Sequence, residues 1–265
     1  MALEDNSSQG RDDTVKDPQA LQQTEVFGHR GWSAQYPENT MASFIAALEI
    51  GVDGLEFDVH LSKDGNIVII HDADLSRTTN GQGYVEDYTL EELRQLDAGS
   101  WFDENFAGQV IPTLDEVLEL ASLQARPVKL NIELKLGRAP YAGLGDKVWE
   151  KVLSYGLKNE TIISSFNHFA LRDLKRAHKD ANIAILYQEG MVDPWRYAMF
   201  LEAEGLHPHY LTFDESVVKD RHARGRAIRP YTVNDVRKMN ELMAWGVDAI
   251  ITDHPDVLLA VRARM

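Results

Sequence analysis

The 265-residue chain contains no cysteine, which removes disulfides, thiolate nucleophiles and soft thiolate metal sites. Any metal must therefore be held by oxygen or imidazole. Positive charge is also scarce, since 27 Lys and Arg stand against 42 Asp and Glu, a net charge of −15. Such a field repels nucleic acid and anionic membranes unless a local basic patch outweighs it. The densest basic group, Arg221-His222-Ala223-Arg224-Gly225-Arg226, reads as a solvated helix end. No run approaches the roughly 20 apolar residues that span a bilayer, so stable membrane insertion is not expected. Residues 1–24 lack the apolar stretch of a signal and read as a disordered acidic tail, with a cytoplasmic location as the default. Walker, dinucleotide-fingerprint and Gly-x-Ser-x-Gly elements are missing too, which leaves nucleotide-dependent transfer and serine hydrolysis without support.

What is present is a hydrophobic content of 44 %, ample for one large core, and residues 25–265 read as a single catalytic domain. Short apolar runs alternate with longer amphipathic ones, the pattern of βα units. Strands are expected at 24–28, 53–60, 66–70, 128–135, 160–165, 182–187, 206–211 and 226–231, with helical spacing between most of them. Eight strands with intervening helices predict an α/β fold, a (β/α)8 barrel of the TIM type. Two irregularities stand out. Ser62-Lys63-Asp64-Gly65-Asn66 is too short for a helical crossover, so the second and third strands form an irregular unit. A ninth run, Ala249-Ile250-Ile251, competes for a place in the barrel, and residues 72–112 read as a long insertion over one end.

The candidate chemistry lies at strand ends. Residues two apart on a strand share a face, so Glu56 and Asp58 point into the barrel together, as do Asn131, Glu133 and Lys135. Three buried carboxylates call for compensation, either by inward salt bridges to Lys135 and Arg30 or by one divalent cation. All-oxygen ligands favour Mg²⁺ or Ca²⁺, with Mn²⁺ as a further option, over zinc. His29 and His71 each close a short apolar run and can act as general acid and base near neutral pH. Arg30 and Lys135 supply donors for phosphate oxygens, and Gly31 leaves room for a close turn beside a substrate. His207 and His209 end a strand and can reach the cavity, Tyr231 offers an apolar wall, and Trp101 reads as core of the insertion. His168, in a helical context, reads as solvated. The set describes metal-assisted attack on a phosphate ester.

From about residue 25 to 260 the chain resembles the glycerophosphodiester phosphodiesterase family of phospholipase C-like barrels. The resemblance rests on His29-Arg30-Gly31, Pro37-Glu38-Asn39-Thr40, Glu56-Phe57-Asp58-Val59, His71-Asp72, Arg77-Thr78-Thr79-Asn80-Gly81, Asn131-Ile132-Glu133-Leu134-Lys135, Ser164-Ser165-Phe166 and Ile250-Ile251-Thr252-Asp253. It implies splitting of a small glycerophosphodiester into sn-glycerol 3-phosphate and an alcohol. Glu56, Asp58 and Glu133 would be metal ligands, with His29 and His71 as the acid/base pair. Arg30 and Lys135 would sit on the phosphate, with Phe166, His209 and Tyr231 as further substrate contacts. Tyr231 stands where many members carry Trp, and Arg229-Pro230 suggests a bulge or an early strand end. Two other readings compete: a lysophospholipase D-like activity, with an apolar rim expected near residues 72–112, and a catalytically silent metal- or phosphate-binding barrel.

Overall fold

Parallel strands that are apolar on their outer faces bury those faces only when helices cover them, and the chain closes into a ring to do so. In a computed structural model, residues 24–265 are described, with the side chains of 221–224 left out. The expected tail 1–24 therefore lies, but for Thr24, outside the described residues, as do the side chains of Arg221, His222 and Arg224. The strands are β1 (Glu25–His29), β2 (Gly54–Leu61), β3 (Ile67–Ile69), β4 (Lys129–Leu134), β5 (Thr161–Ser165), β6 (Ile183–Tyr187), β7 (Gly205–Pro208), β8 (Ala227–Ile228) and β9 (Ala249–Thr252). The helices are α1 (Met41–Glu49), α2 (Leu90–Leu93), α3 (Leu114–Ser122), α4 (Leu144–Ser154), α5 (His168–Ala177), α6 (Pro194–Phe200), α7 (Glu215–Arg224), α8 (Val236–Trp245) and α9 (Pro255–Arg262).

Eight strands run parallel in the order β8-β7-β6-β5-β4-β2-β1-β9, and β3 pairs only with β2. Asp248 N donates to Ile228 O and Ile251 N to Pro230 O, both at 3.0 Å, which nearly closes the ring between β8 and β9. The barrel is thus the expected one, but its membership differs. The third expected strand is antiparallel and lies off the ring, because the turn at 62–66 reverses the chain. The ninth run, paired with β1, takes the vacant place. The strand expected at 226–231 ends at Ile228, since Pro230 lacks the N–H a ladder needs.

Alternation sorts the side chains as the sequence suggests. Leu55, Phe57, Val59, Leu130, Ile132 and Leu134 pack into the outer core under the helices, whereas Glu56, Asp58 and Glu133 are buried on the other face. Capping fixes where the helices begin: Thr40 accepts from Ser43 N, Thr113 and Glu116 form a capping box, and Asp235 accepts from Arg237 and Lys238 N. The segment from Ile70 to Pro112 is inserted between β3 and the crossover helix α3. With Val68 of β3 it forms a small separate core of Ile70, Leu75, Val85, Leu93, Ala98 and Ile111. Trp101 is not in that core; it is 39 % exposed, its indole N–H donating to Ala98 O.

Candidate active site

The corner after β1 is set by backbone geometry. Arg30 and Gly31 both have positive φ, 56° and 87°, a region that strains a non-glycine residue. The strain at Arg30 is offset by three hydrogen bonds. Its N–H donates to Glu56 Oε2 at 3.0 Å, and its carbonyl accepts from Ser43 Oγ at 2.9 Å and Asn39 N at 3.1 Å. The glycine at 31 answers to the helix rather than to a substrate: a Cβ there would lie 2.7 Å from the Ser43 carbonyl carbon. The corner thereby holds His29 and Arg30 at the mouth of the barrel.

The β2–β4 register sets Glu56 beside Asn131 and Asp58 beside Glu133, and carboxylate oxygens of Glu56, Asp58 and Glu133 all lie within 4.8 Å of one another. Three carboxylates face two cations, and both cations converge on Asp58. Lys135 Nζ stands 3.1 Å from Asp58 Oδ1, outside hydrogen-bond alignment, and 2.5 Å from Glu133 Oε1, while Arg30 Nε lies 3.5 Å from Asp58 Oδ2. Asn39 Nδ2 donates to Asp58 Oδ2 at 2.8 Å. Although burial opposes ionisation, Lys135 and Arg30 hold the Asp58 carboxyl far below its usual range. Glu56 and Glu133 are less well served. Burial and then the Asp58 and Glu133 charges push Glu56 well up, and Glu133 is pushed up to about 7, by burial first. With all three carboxylates ionised the two cations leave one negative charge unbalanced, and a divalent cation would balance it.

The donor set fits such a cation. Asp58 Oδ1, Asn39 Oδ1 and Asn131 Oδ1 are buried oxygens that accept no hydrogen bond among the described residues. They border an all-oxygen cradle of the kind hard divalent ions prefer.

Two histidines approach this cradle, each pinned by a carboxylate. His29 Nδ1 donates to Asp253 Oδ1 at 2.6 Å, and its Nε2 stands 3.9 Å from Glu56 Oε2. Asp253 also accepts from Ser33 Oγ and Asn234 Nδ2. Those bonds, led by the one from His29, outweigh burial and keep it ionised. His71 Nδ1 donates to Asp72 Oδ1 at 2.5 Å. Asp72 is drawn down to about 2 against burial by Arg77 and His71, and His71 itself is lowered, chiefly by burial. Arg77 then joins the two sides of the mouth, donating through Nε to Asp72 and through both terminal nitrogens to Glu38, which also accepts from Arg30.

Phe166, His209 and Tyr231 are brought together as an aromatic wall. Phe166 meets Tyr231 edge-on at 5.9 Å, and His209 meets it at 6.1 Å. His207, by contrast, is wholly buried inside the barrel, with burial and Arg229 holding it well below its usual pKa. His168 is not solvated either, being tied at Nδ1 to Tyr197 Oη and at Nε2 to Leu186 O. Sequence reading gave no role to Asp72, Arg77, Glu38, Asp253 or His60. His60 continues the inward row of Glu56 and Asp58, and its ring bridges Tyr141 Oη and the His71 carbonyl. The period-two alternation that found the acids would have found it.

Comparison with known proteins points the same way. A family model described as "Glycerophosphoryl diester phosphodiesterase family" matches residues 29–257. The chain is similar to a glycerophosphodiester phosphodiesterase of Caldanaerobacter subterraneus, 45 % identical over 89 % of this chain and 96 % of the relative. One of Bacillus altitudinis is 39 % identical over 91 % of this chain and 99 % of the relative. Among solved structures, an Oleispira antarctica phosphodiesterase in complex with its product sn-glycerol-3-phosphate superposes with a TM-score of 0.79. It is 36 % identical and covers 89 % of this chain and 96 % of that one. The family match along nearly the whole barrel, together with relatives 45 % and 39 % identical over about nine tenths of the chain, makes this chain a member of the glycerophosphoryl diester phosphodiesterase family.

Proposed function

We propose that the protein hydrolyses glycerophosphodiesters to sn-glycerol 3-phosphate and an alcohol, with His29 and His71 moving the protons. The observation that carries this reading is the pairing at the barrel mouth. Each histidine has its Nδ1 committed to an ionised aspartate, at 2.6 Å and 2.5 Å, which leaves its Nε2 for the substrate. Arg30 and Lys135 border the space between them and would bind the phosphate oxygens, Arg as a fork and Lys as a point charge. One histidine takes the proton of the glycerol 2-hydroxyl as that oxygen attacks phosphorus, and the other protonates the departing alcohol. Water then opens the cyclic phosphate, with the proton traffic reversed. Glu56, Asp58 and Glu133 would hold one Mg²⁺ or Ca²⁺, which when bound withdraws charge from the phosphoryl oxygens and eases ionisation of the attacking hydroxyl. Phe166, His209 and Tyr231 would wall the substrate.

The competing idea of a silent binding barrel has no use for two histidines whose Nδ1 atoms are each held by an aspartate. Residues 24–265 contain no helix long and apolar enough to cross a membrane. The test is coupled detection of glycerol 3-phosphate released from glycerophosphocholine, with Mg²⁺, Ca²⁺ or chelator. Release that chelator stops is expected; no release with any divalent ion would sink the reading.

A further inference from the structure

The side of the mouth built from residues 72–112 is polar rather than the apolar rim expected there, and it carries the Arg77 bonds to Asp72 and Glu38. On this side the second histidine has less support from the ring than the first. His29 ends a strand of the ring, and its aspartate follows the strand beside it. His71 follows β3, which lies off the ring, and its aspartate is the next residue in the chain. That bond fixes the imidazole relative to its own backbone. It does nothing to hold that backbone against the cradle.

His60 supplies that hold. Glu56, Asp58 and His60 share one face of β2; the first two end in the cradle, and the third turns its ring to the segment after β3. Its Nε2 lies 3.1 Å from the His71 carbonyl oxygen and its Nδ1 3.0 Å from Tyr141 Oη. A carbonyl can only accept, so the ring proton sits on Nε2, and Nδ1 accepts from the tyrosine hydroxyl. His60 is buried, so water does not compete for its ring nitrogens. Tyr141 is held in turn by the loop of residues 135–143, between β4 and α4. Gly137 passes so close that a Cβ there would lie 2.0 Å from Glu86 Oε2 and 2.7 Å from Tyr141 Oη. Arg138 donates to Glu86 and Asp87 at 2.5 Å each, and its guanidinium lies 4.9 Å from the centre of the Tyr84 ring. The Tyr141 ring meets His60 edge-on at 5.7 Å. The loop that starts at Lys135 is thereby tied, through His60, to the backbone of His71.

We propose that His60 is a positioning residue for the reaction: by holding the His71 carbonyl it sets the reach of the His71 Nε2 from Asp58 and Glu56 of its own strand, and Tyr141 holds the tautomer this requires. This rests on the hydrolytic reading above, in which His71 moves a proton. A misplacement of about 1 Å between reacting groups costs about 10²-fold in rate. With His60 in this role, one strand carries two of the cradle's carboxylates and the anchor of the proton-moving group, so the spacing between cradle and imidazole follows from the strand's own repeat.

The experiment measures glycerophosphocholine hydrolysis at saturating Mg²⁺ in the wild type, His60→Leu and His60→Gln, and repeats His60→Leu in a His71→Ala enzyme. His60→Leu removes both bonds and should lower kcat by about 10²-fold with KM little changed. His60→Gln, whose amide can donate to the same carbonyl, should recover most of that loss. In the His71→Ala enzyme, which no longer uses that imidazole, His60→Leu should cost nothing further. An unchanged kcat in His60→Leu, an equal fall in both backgrounds, or a glutamine variant as slow as the leucine one overturns the positioning role and leaves hydrolysis intact. Full turnover in His71→Ala alone would instead overturn the part given to His71 in the hydrolytic reading. Nitrogen NMR of the wild-type histidine rings decides the matter even where His60→Leu does not fold, with the His60 signals identified by their absence in His60→Gln. The form protonated at Nε2 is expected; a ring protonated at Nδ1 alone could not donate to the carbonyl and overturns the proposal.

Discussion

Asp253 does for His29 what Asp72 does for His71, each holding Nδ1 and leaving Nε2 open. Replacing His29 or His71 with Ala should lower kcat by about 10² to 10⁴-fold. Asp253→Asn removes the anion that fixes the His29 tautomer while keeping its size. Steady-state kinetics should show a fall of kcat by about 10²-fold with KM little changed, and an unaltered kcat would remove Asp253 from the mechanism. Arg77 is the bridge between Asp72 and Glu38, and it is partly exposed. In Arg77→Ala the lost turnover should be restored in part by added guanidinium; absence of rescue would argue that Arg77 only packs. At this scale the sequence was half legible. Paired letters such as Glu56-Phe57-Asp58 announce a shared face, because strand period is fixed. Asp253 announces nothing, because its partner His29 is 224 positions away and only ring closure joins them.

The strands and helices were legible where local physics decides them. Thr113 and Glu116 stand at the three-residue spacing of a capping box, and both of its bonds are present. Thr113→Ala should cost about 1 kcal/mol, a drop in melting temperature of about 2–4 °C by calorimetry. Gly31→Ala is a harsher change, since the added carbon meets the α1 backbone at a positive φ. It should displace Arg30 and His29, abolishing turnover and lowering thermal stability together. What escaped the sequence was membership of the ring. Ile67–Ile69 and Ala249–Thr252 are equally apolar, and apolar letters do not tell antiparallel from parallel. The turn at 62–66 reverses β3 and opens a place that β9 fills. The corner at Pro230 was foreseen because a missing N–H is a local fact.

For the molecule as a whole, the cradle couples ion binding to stability. The ordinary pKa of a glutamate, 4.5, is raised to about 7 for Glu133, principally by burial. A raised carboxyl favours the protonated form in the fold, so without a cation this contribution is fully present below pH 4.5 and is lost as pH rises through about 7. A divalent ion needs the carboxylate, so protons compete with it. The gain in melting temperature from saturating Mg²⁺ or Ca²⁺ should grow between pH 4.5 and 7 and level off above, and Glu133→Gln should shrink it. A gain independent of pH would mean that the ion sits elsewhere. The ring also ties distant parts of the chain to one another. Because β1 pairs with β9 and Asp253, one residue past β9, accepts from His29, the pair proposed to move a proton draws on the first and the last strand of the barrel, so a change that shifts either strand reaches it.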